Sequence, residues 1–80
     1  MELKDTIELM TSDDYKERFK AEYYQLTIRQ DKLKATVDNY EHLDFTPKCS
    51  RSVLQALYIF MQRYRDALEA RAAIEGIKLD

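Results

Sequence analysis

Two long runs of apolar residues at helical spacing, separated by the chain's only proline, most constrain the fold. In the first run apolar side chains recur every three or four positions, which places them on one side of an α-helix. They are Tyr15, Phe19, Tyr23, Leu26, Leu33, Val37 and Tyr40. Several stand seven residues apart, as in a coiled-coil seam. The pattern predicts a first helix over about residues 13–41.

The second run predicts a helix over about residues 50–75, after a loop at 42–49. Gly76, the chain's only glycine, suits a left-handed C-cap, and Ile77 can make the apolar contact that accompanies such caps. With a turn of 100° per residue, the apolar side chains of this helix cover an arc of roughly 160° around the helix axis. A surface helix needs an apolar arc of only about 100°. They are Val53, Leu54, Leu57, Phe60, Met61, Tyr64, Ala67, Leu68 and Ile74.

The width of this arc decides the predicted architecture. In a hairpin each helix has one partner, so part of the arc stays in water, and such apolar patches usually mark an interface. We therefore predict an all-α fold in which a short N-terminal helical segment (1–12) precedes an antiparallel two-helix hairpin domain (13–80). We expect it to assemble with copies of itself, as a dimer or tetramer, into a homo-oligomeric helical bundle. The candidate interface residues are Val53, Phe60, Ala67 and Ile74 on the second helix, and Tyr24 and Ile28 on the back of the first.

The N-terminal segment leaves an alternative open. It carries Leu3, Ile7 and Met10 at helical spacing but is too short to be a stable helix alone. It can dock on its own hairpin, where it could cover the exposed apolar row of a monomer, or reach a neighbouring copy as a swapped arm. The sequence does not decide between these.

Composition argues against several classes of partner. Thirteen basic and fifteen acidic residues give a net charge of −2, and the signs are interspersed, whereas nucleic-acid binding normally needs a basic face. No stretch approaches the roughly 20 apolar residues needed to span a bilayer, so we expect no membrane partner. One cysteine cannot form an internal disulfide, and the start of the chain lacks the pattern of a secretion signal, so we expect a reducing cytoplasm.

The loop LDFTPKCSRS combines the only proline with the only cysteine. Cys49 has one possible companion, His42, and their spacing matches no zinc pattern. We predict no metal and no cofactor, and no catalytic arrangement that would make this an enzyme. Cys49 and Phe45 are instead expected to pack beneath the loop.

An anion site at the start of the second helix is also possible. Unpaired backbone N–H groups and the helix dipole attract anions there, and Lys48 and Arg51 could add cationic donors. The competing interpretation is structural, because Thr46 and Ser50 are both good helix caps.

Polar residues within the apolar stripes are further candidates. Gln30 lies in the seam of the first helix, where a buried amide often fixes register, and Arg29 lies beside it. Arg71 points into the apolar arc of the second helix, where it can pair with Glu75 or bind a phosphate in bidentate fashion. Tyrosines such as Tyr23 and Tyr64 can stack on a base, although tyrosines at this spacing are more often core residues.

Three segments carry a resemblance to a known family: DYKERFKAEYYQLTIRQDKL, LDFTPKCSRSVL and MQRYRDALEARAAIEGIKL. Together, over about residues 14–79, they resemble small phage and prophage proteins related to a crAss-like phage reading frame. The chain departs from that pattern at Ser50, where a proline commonly follows the cysteine, and at Leu57, where glutamine is frequent. The resemblance implies a phage gene expressed in the cytoplasm of a bacterial host, where small oligomeric phage proteins blunt host defence.

These observations give one leading functional hypothesis. We expect a phage-encoded, non-enzymatic protein that binds and sequesters a small anionic nucleotide signal of host antiphage defence, in clefts of a homo-oligomer. The candidate ligand-binding residues are Arg71, Tyr64, Arg51, Lys48, Tyr23, Gln30 and Arg29. The alternatives are a protein-binding inhibitor of a host defence protein and a phage assembly or structural factor.

Overall fold

The computed structural model describes residues 1–79, and all regular structure in this part of the chain is helical. A 3₁₀ turn at Leu3–Thr6 leads into α1 (Ile7–Met10), followed by α2 (Tyr15–Asp38), a 3₁₀ turn at Tyr40–His42 and α3 (Arg51–Glu75). The predicted all-α class is confirmed. Within the described range no helix has the length and apolar character required to cross a membrane.

The two long helices pack as an antiparallel hairpin. Gln30 in the second half of α2 bonds Gln62, near the middle of α3. Phe19, near the start of α2, contacts Arg71 near the end of α3. The core between the helices is small, as expected for a chain of this length. It consists of Phe19, Tyr23, Leu26, Leu68, Ala72 and Ile77.

Helix α2 is shorter at both ends than the predicted range of 13–41. It begins at Tyr15 because Asp14 is the N-cap, and the Asp14 carboxylate accepts the Lys16 N–H at 2.9 Å. It ends at Asp38, and the Asn39 side chain donates to the Ala35 carbonyl at 2.8 Å. The next residues tighten into a 3₁₀ turn instead of continuing the α-helix.

Both ends of α3 are capped by residues that the sequence analysis named as caps. Of the two possible caps, Ser50 is the one used, and its hydroxyl accepts the Val53 N–H. At the other end Gly76 is left-handed, with φ of 69°, and the Ile77 N–H donates to the Ala72 carbonyl at 2.8 Å. Ile77 is buried, so the predicted C-cap and its apolar contact are confirmed.

The N-terminal segment docks on its own hairpin, against α2. Thr6 is fully buried, and its hydroxyl donates to the Leu3 carbonyl at 2.7 Å and accepts from the Gln25 amide at 2.8 Å. The segment lies over the back of α2, where Tyr24 and Ile28, two of the candidate interface residues, line a concavity with Leu9. The half-buried Tyr24 and Ile28 thus lie beside the chain's own N-terminal segment.

The apolar row of α3 is not covered by the N-terminal segment. Val53, Phe60 and Ile74 are 57%, 65% and 85% exposed. The alternative of a monomer whose N-terminal segment covers this row is therefore wrong, because the segment packs on the back of α2 instead.

The loop between the helices packs less tightly than predicted. Phe45 is 65% exposed and Cys49 is exposed, so the expectation that both pack beneath the loop is wrong. The physical reason is that the loop has little surface to pack against, because only the last turn of α2 and the first turn of α3 lie at this end. Tyr40, Leu43 and Pro47 are the half-buried residues there, and the Tyr40 hydroxyl donates to the Cys49 carbonyl at 2.8 Å.

Candidate ligand groove

A shallow groove runs along one side of the hairpin between α2 and α3, and we call it the arginine groove. It has two parts that share Glu22. The upper part is lined by Tyr15, Arg18, Phe19, Glu22 and Arg71, and the lower part by Glu22, Gln25, Leu26, Arg29 and Tyr64. Most of the α2 residues stand three or four positions apart, which aligns them along one face of the helix.

Arg71 is fixed in the upper part by two contacts. Its guanidinium lies 4.8 Å from the centre of the Phe19 ring, and its Nε–H donates to the Glu75 carboxylate at 2.5 Å. The hydrogen bond to Glu75 is the main reason that the pKa of Arg71 lies above its ordinary value. Half of the side chain is still exposed, and the bond to Glu75 uses one of five guanidinium N–H donors. Arg71 is therefore a pre-positioned cation that can still bind an anion.

Arg18 is the second cation of the upper part. Its Nη1 donates to the Ser12 carbonyl at 2.7 Å, which ties the side chain to the turn before α2. The sequence interpretation did not include Arg18. The available signal was its spacing, because Tyr15, Arg18 and Glu22 form a stripe beside the apolar seam of α2.

Glu22 separates these cations from Arg29 in the lower part. Its carboxylate accepts a hydrogen bond from the Tyr64 hydroxyl. That hydrogen bond, together with partial burial, raises the pKa of Tyr64 above its ordinary value. Along the groove the order of groups is thus cationic, acidic and cationic, with aromatic rings on both helices. The arginines can bind anionic groups, and the carboxylate can accept from hydroxyls.

The groove is small in this single chain. Its upper and lower parts enclose about 220 Å³ and 160 Å³. Pockets for small molecules usually enclose about 300–1,000 Å³ and bury most of the ligand. A nucleotide therefore has to span both parts, or be covered by a further protein surface.

Of three larger concavities, one of about 310 Å³ is lined by Glu69 and by no basic residue, and the other two each contain a lysine and an aspartate. Of these two, one of about 520 Å³ lies beneath the N-terminal segment, where Lys20 and Asp31 are the charged side chains among largely apolar neighbours. Another of about 300 Å³ lies near the loop end, where Lys34 donates to Asp38 at 2.8 Å. This bond is the main cause that raises the pKa of Lys34. In each of these two, the single lysine side chain is accompanied by one carboxylate, so neither attracts an anion as strongly as the arginine groove.

Two of the predicted ligand-binding residues, Tyr23 and Gln30, lie in the core and form a polar network with Arg65. The Gln30 amide donates to Gln62 at 2.7 Å, and Arg65 donates to Gln30 at 3.3 Å and to the Tyr23 hydroxyl at 3.2 Å. The bond to Tyr23 is the main cause that raises the pKa of Arg65. Gln30 is only 1% exposed, so this network joins the two helices and does not line the groove. Arg65 was not identified from the sequence, because its role depends on which α2 residues face it.

Lys48 and Arg51 lie at the opposite end of the hairpin. Both are exposed, and the nearby Ser50 hydroxyl is occupied in capping α3. Arg51 and Arg71 are twenty residues apart on one helix, which is about 30 Å. The structure therefore brings Arg71, Tyr64 and Arg29 together with Arg18, and leaves Lys48 and Arg51 apart from them.

The fold and the groove together describe this chain as a small helical-hairpin protein with a cationic, aromatic-lined surface groove. The chain belongs to the Sequestin family, whose model matches residues 13–74. The match contains all of α2 and all of α3 except its last residue, Glu75. It overlaps the region on which the phage resemblance rests, whereas the docked N-terminal segment lies outside it. Comparison with curated proteins and with solved structures gave no significant match.

Proposed function

We propose that this protein sequesters a small anionic nucleotide by holding it in the arginine groove of a homo-oligomer. The family name points to sequestration, and the groove is the observation that carries the proposal. It places Arg18 and Arg71 on one side of Glu22 and Arg29 on the other, beside exposed tyrosine side chains. The phage origin, the host cytoplasm and a role against antiphage defence belong to the same proposal and rest on the sequence resemblance.

Each group in the groove has a role in binding that requires no reaction. Arg71 and Arg18 bind phosphate oxygens, for which the planar guanidinium is well suited. Tyr15 or Tyr64 stacks on the base, and Glu22 accepts a hydrogen bond from a ribose hydroxyl, as acidic residues do in dinucleotide sites. Capture alone lowers the concentration of free ligand, so a sequestering protein needs affinity and abundance but no turnover.

The test is calorimetric titration with ADP-ribose and with a cyclic dinucleotide, supported by thermal shift. A ligand at 100 times its Kd stabilises a protein by about 2.7 kcal/mol, which is easily measured as a rise in Tm. Arg71→Ala and Arg18→Ala are each expected to weaken binding by about tenfold or more, because each removes charge-assisted hydrogen bonds.

Lys34→Ala is the control, because it removes an exposed cation near the loop end of α2, outside both the arginine groove and the exposed apolar row of α3. It is expected to leave affinity within about twofold, the range of a remote surface charge. If neither nucleotide binds, or if Lys34→Ala weakens binding as much as Arg71→Ala, the proposed site is wrong.

The exposed apolar row of α3 favours a second candidate function, which is inhibition of a host protein through that row. The two candidates differ in what accompanies the purified protein. The chain has no tryptophan and six tyrosines, so a retained nucleotide raises the ratio of absorbance at 260 nm to that at 280 nm clearly. A monomer that carries a stoichiometric host protein and no nucleotide supports the inhibitor instead. A structural role in the virion requires the protein to be present in purified particles.

A further inference from the structure

The exposed face of α3 has the residue spacing of a complete coiled-coil seam. Its residues alternate four and three positions apart over more than three heptads, which is the repeat of a and d positions. We call this set the α3 seam; it consists of Val53, Leu57, Phe60, Tyr64, Ala67, Arg71 and Ile74. All seven are exposed. The core-facing side of α3 is a separate stripe that includes Met61, Leu68 and Ala72.

We propose that α3 pairs in antiparallel orientation with α3 of a second copy through this seam, with Leu57 opposite Ile74 of the partner subunit. In the same register Phe60 lies opposite the partner subunit's Arg71, and Tyr64 lies opposite the partner subunit's Ala67. Each contact occurs twice because of the two-fold axis. The inference rests on the proposed function and deepens it, because it names the surface and orientation of the homo-oligomer.

Side-chain size favours this register. A parallel pair would place Phe60 and Tyr64 each opposite its own copy, and Ala67 opposite its own copy. The bulky aromatic pairs would hold the helices apart and leave a void between the two alanines. Protein interfaces do not tolerate such voids at normal packing density. In the antiparallel register the large Tyr64 meets the small Ala67, and Leu57 covers Ile74, which at 85% exposed leaves the most apolar surface in water.

Charge favours the same orientation. A parallel pair would bring Arg71 against its own copy, and would put together two N-terminal turns of α3 that contain Arg51 and no acidic residue. The antiparallel pair instead places Arg51 near the C-terminal end of the partner's α3, where Glu75 and the negative end of the helix dipole lie. Arg71, whose Nε–H is already bonded to its own Glu75, then faces the Phe60 ring of the partner subunit and keeps its other guanidinium donors for the groove.

The pairing also accounts for the small size of the groove. Arg71 belongs both to the α3 seam and to the arginine groove, so the partner's α3 lies along the open edge of the groove. A second copy thus adds a wall to the upper part, which in one chain encloses about 220 Å³.

Disulfide trapping tests the orientation directly. In a Cys49→Ser background, Leu57→Cys and Ile74→Cys chains are purified separately and then mixed. In the antiparallel register residue 57 is about 26 Å from its own copy, far beyond disulfide reach, but lies opposite residue 74 of the partner subunit. We expect a covalent dimer after mild oxidation of the mixture and none from either variant alone.

The matched control is a mixture of Gln55→Cys and Ala73→Cys chains, whose exposed positions lie away from the seam and should give no covalent dimer. Light scattering should give a dimer mass for the wild type, and a monomer mass with unchanged helicity for Ile74→Glu. Covalent dimers from Leu57→Cys or Ile74→Cys alone, a dimeric Ile74→Glu, or a monomeric wild type would overturn the proposed pairing.

Titration of the same samples with ADP-ribose and a cyclic dinucleotide separates this inference from the proposed function. A trapped antiparallel dimer that binds neither nucleotide supports the pairing and contradicts sequestration of a nucleotide. A monomeric wild type that binds one of them contradicts the pairing and leaves nucleotide capture in place.

Discussion

At the scale of single residues, Glu22 is the acidic group shared by both parts of the arginine groove. Its carboxylate lies between Arg18 and Arg71 on one side and Arg29 on the other, and it accepts a hydrogen bond from Tyr64. A simple polyanion that filled the groove would meet this carboxylate and be repelled. A ligand with hydroxyls between its phosphates would replace the hydrogen bond that Tyr64 now provides. We therefore expect the proposed ligand of the groove to be a nucleotide rather than inorganic polyphosphate.

The hydrogen bond between Tyr64 and Glu22 has a measurable pH dependence. It raises the pKa of Tyr64 above the ordinary value of 10.0, so the stability that it contributes is present at neutral pH. That stability is lost as pH rises through the folded-state pKa, because the phenolate can no longer donate. We expect the alkaline absorbance titration of wild type minus Tyr64→Phe to show a transition above pH 10. A difference transition at or below pH 10 would contradict this assignment.

Gln30 is the polar residue whose loss should most disturb the hairpin. Gln30→Ala removes the α2 amide that bonds Gln62 and Arg65 on α3. Both of these side chains then lose a hydrogen-bond partner in a partly buried position. We expect the free energy of unfolding to fall by about 1–3 kcal/mol, measured by urea denaturation. Gln55→Ala, an exposed glutamine in α3, is the control and should change it by no more than about 0.5 kcal/mol. Equal effects from both substitutions would show that the network is not important for stability.

At the scale of elements, the end of α3 depends on one backbone conformation. Gly76 has φ of 69°, and a Cβ placed there would meet no heavy atom within 4 Å. Gly76→Ala should therefore destabilise the chain only through the left-handed backbone, by about 1–2 kcal/mol. Gly76→Asn should cost less, because asparagine adopts this conformation more readily. Thermal unfolding of both variants measures the difference, and an alanine variant as stable as wild type would refute the argument.

Local chemistry explains why these elements could be predicted from the sequence while other features could not. The helical repeat of α2 and α3, the Ser50 cap and the Gly76 cap depend on residues within a few positions of one another. The site depends on which faces meet. Arg71 was found because it interrupts an apolar arc, whereas Arg18 and Arg65 lie at positions where charged residues are ordinary. Their roles appear only when α2 and α3 are in register.

For the whole molecule, the division of α2 into three faces determines what each part of the chain can do. One face packs on α3, a second lines the arginine groove, and a third is covered by the N-terminal segment. Helix α3 has one face in the core and one in the α3 seam. Because the N-terminal segment lies on α2, it is compatible with pairing through the seam. Gln25 connects the two surfaces of α2, since it lines the groove and also donates to Thr6.

Removal of residues 1–10 tests this division of the molecule. The deletion takes away Thr6 and Leu9 and uncovers the back of α2, but it keeps Ser12, whose carbonyl holds Arg18. We expect the free energy of unfolding to fall by on the order of 2 kcal/mol, because the deletion loses about as much apolar burial as one core side chain provides.

The nucleotide affinity of the still folded chain, measured by calorimetry below its lowered Tm, should stay within about threefold, since every cation of the groove remains. Full-length Thr6→Ala, which removes only the hydroxyl and its hydrogen bonds to Gln25 and Leu3, is the intermediate control. A large loss of affinity in the deletion variant but not in Thr6→Ala would mean that the ligand lies beneath the N-terminal segment, in the larger concavity on the back of α2, and not in the arginine groove.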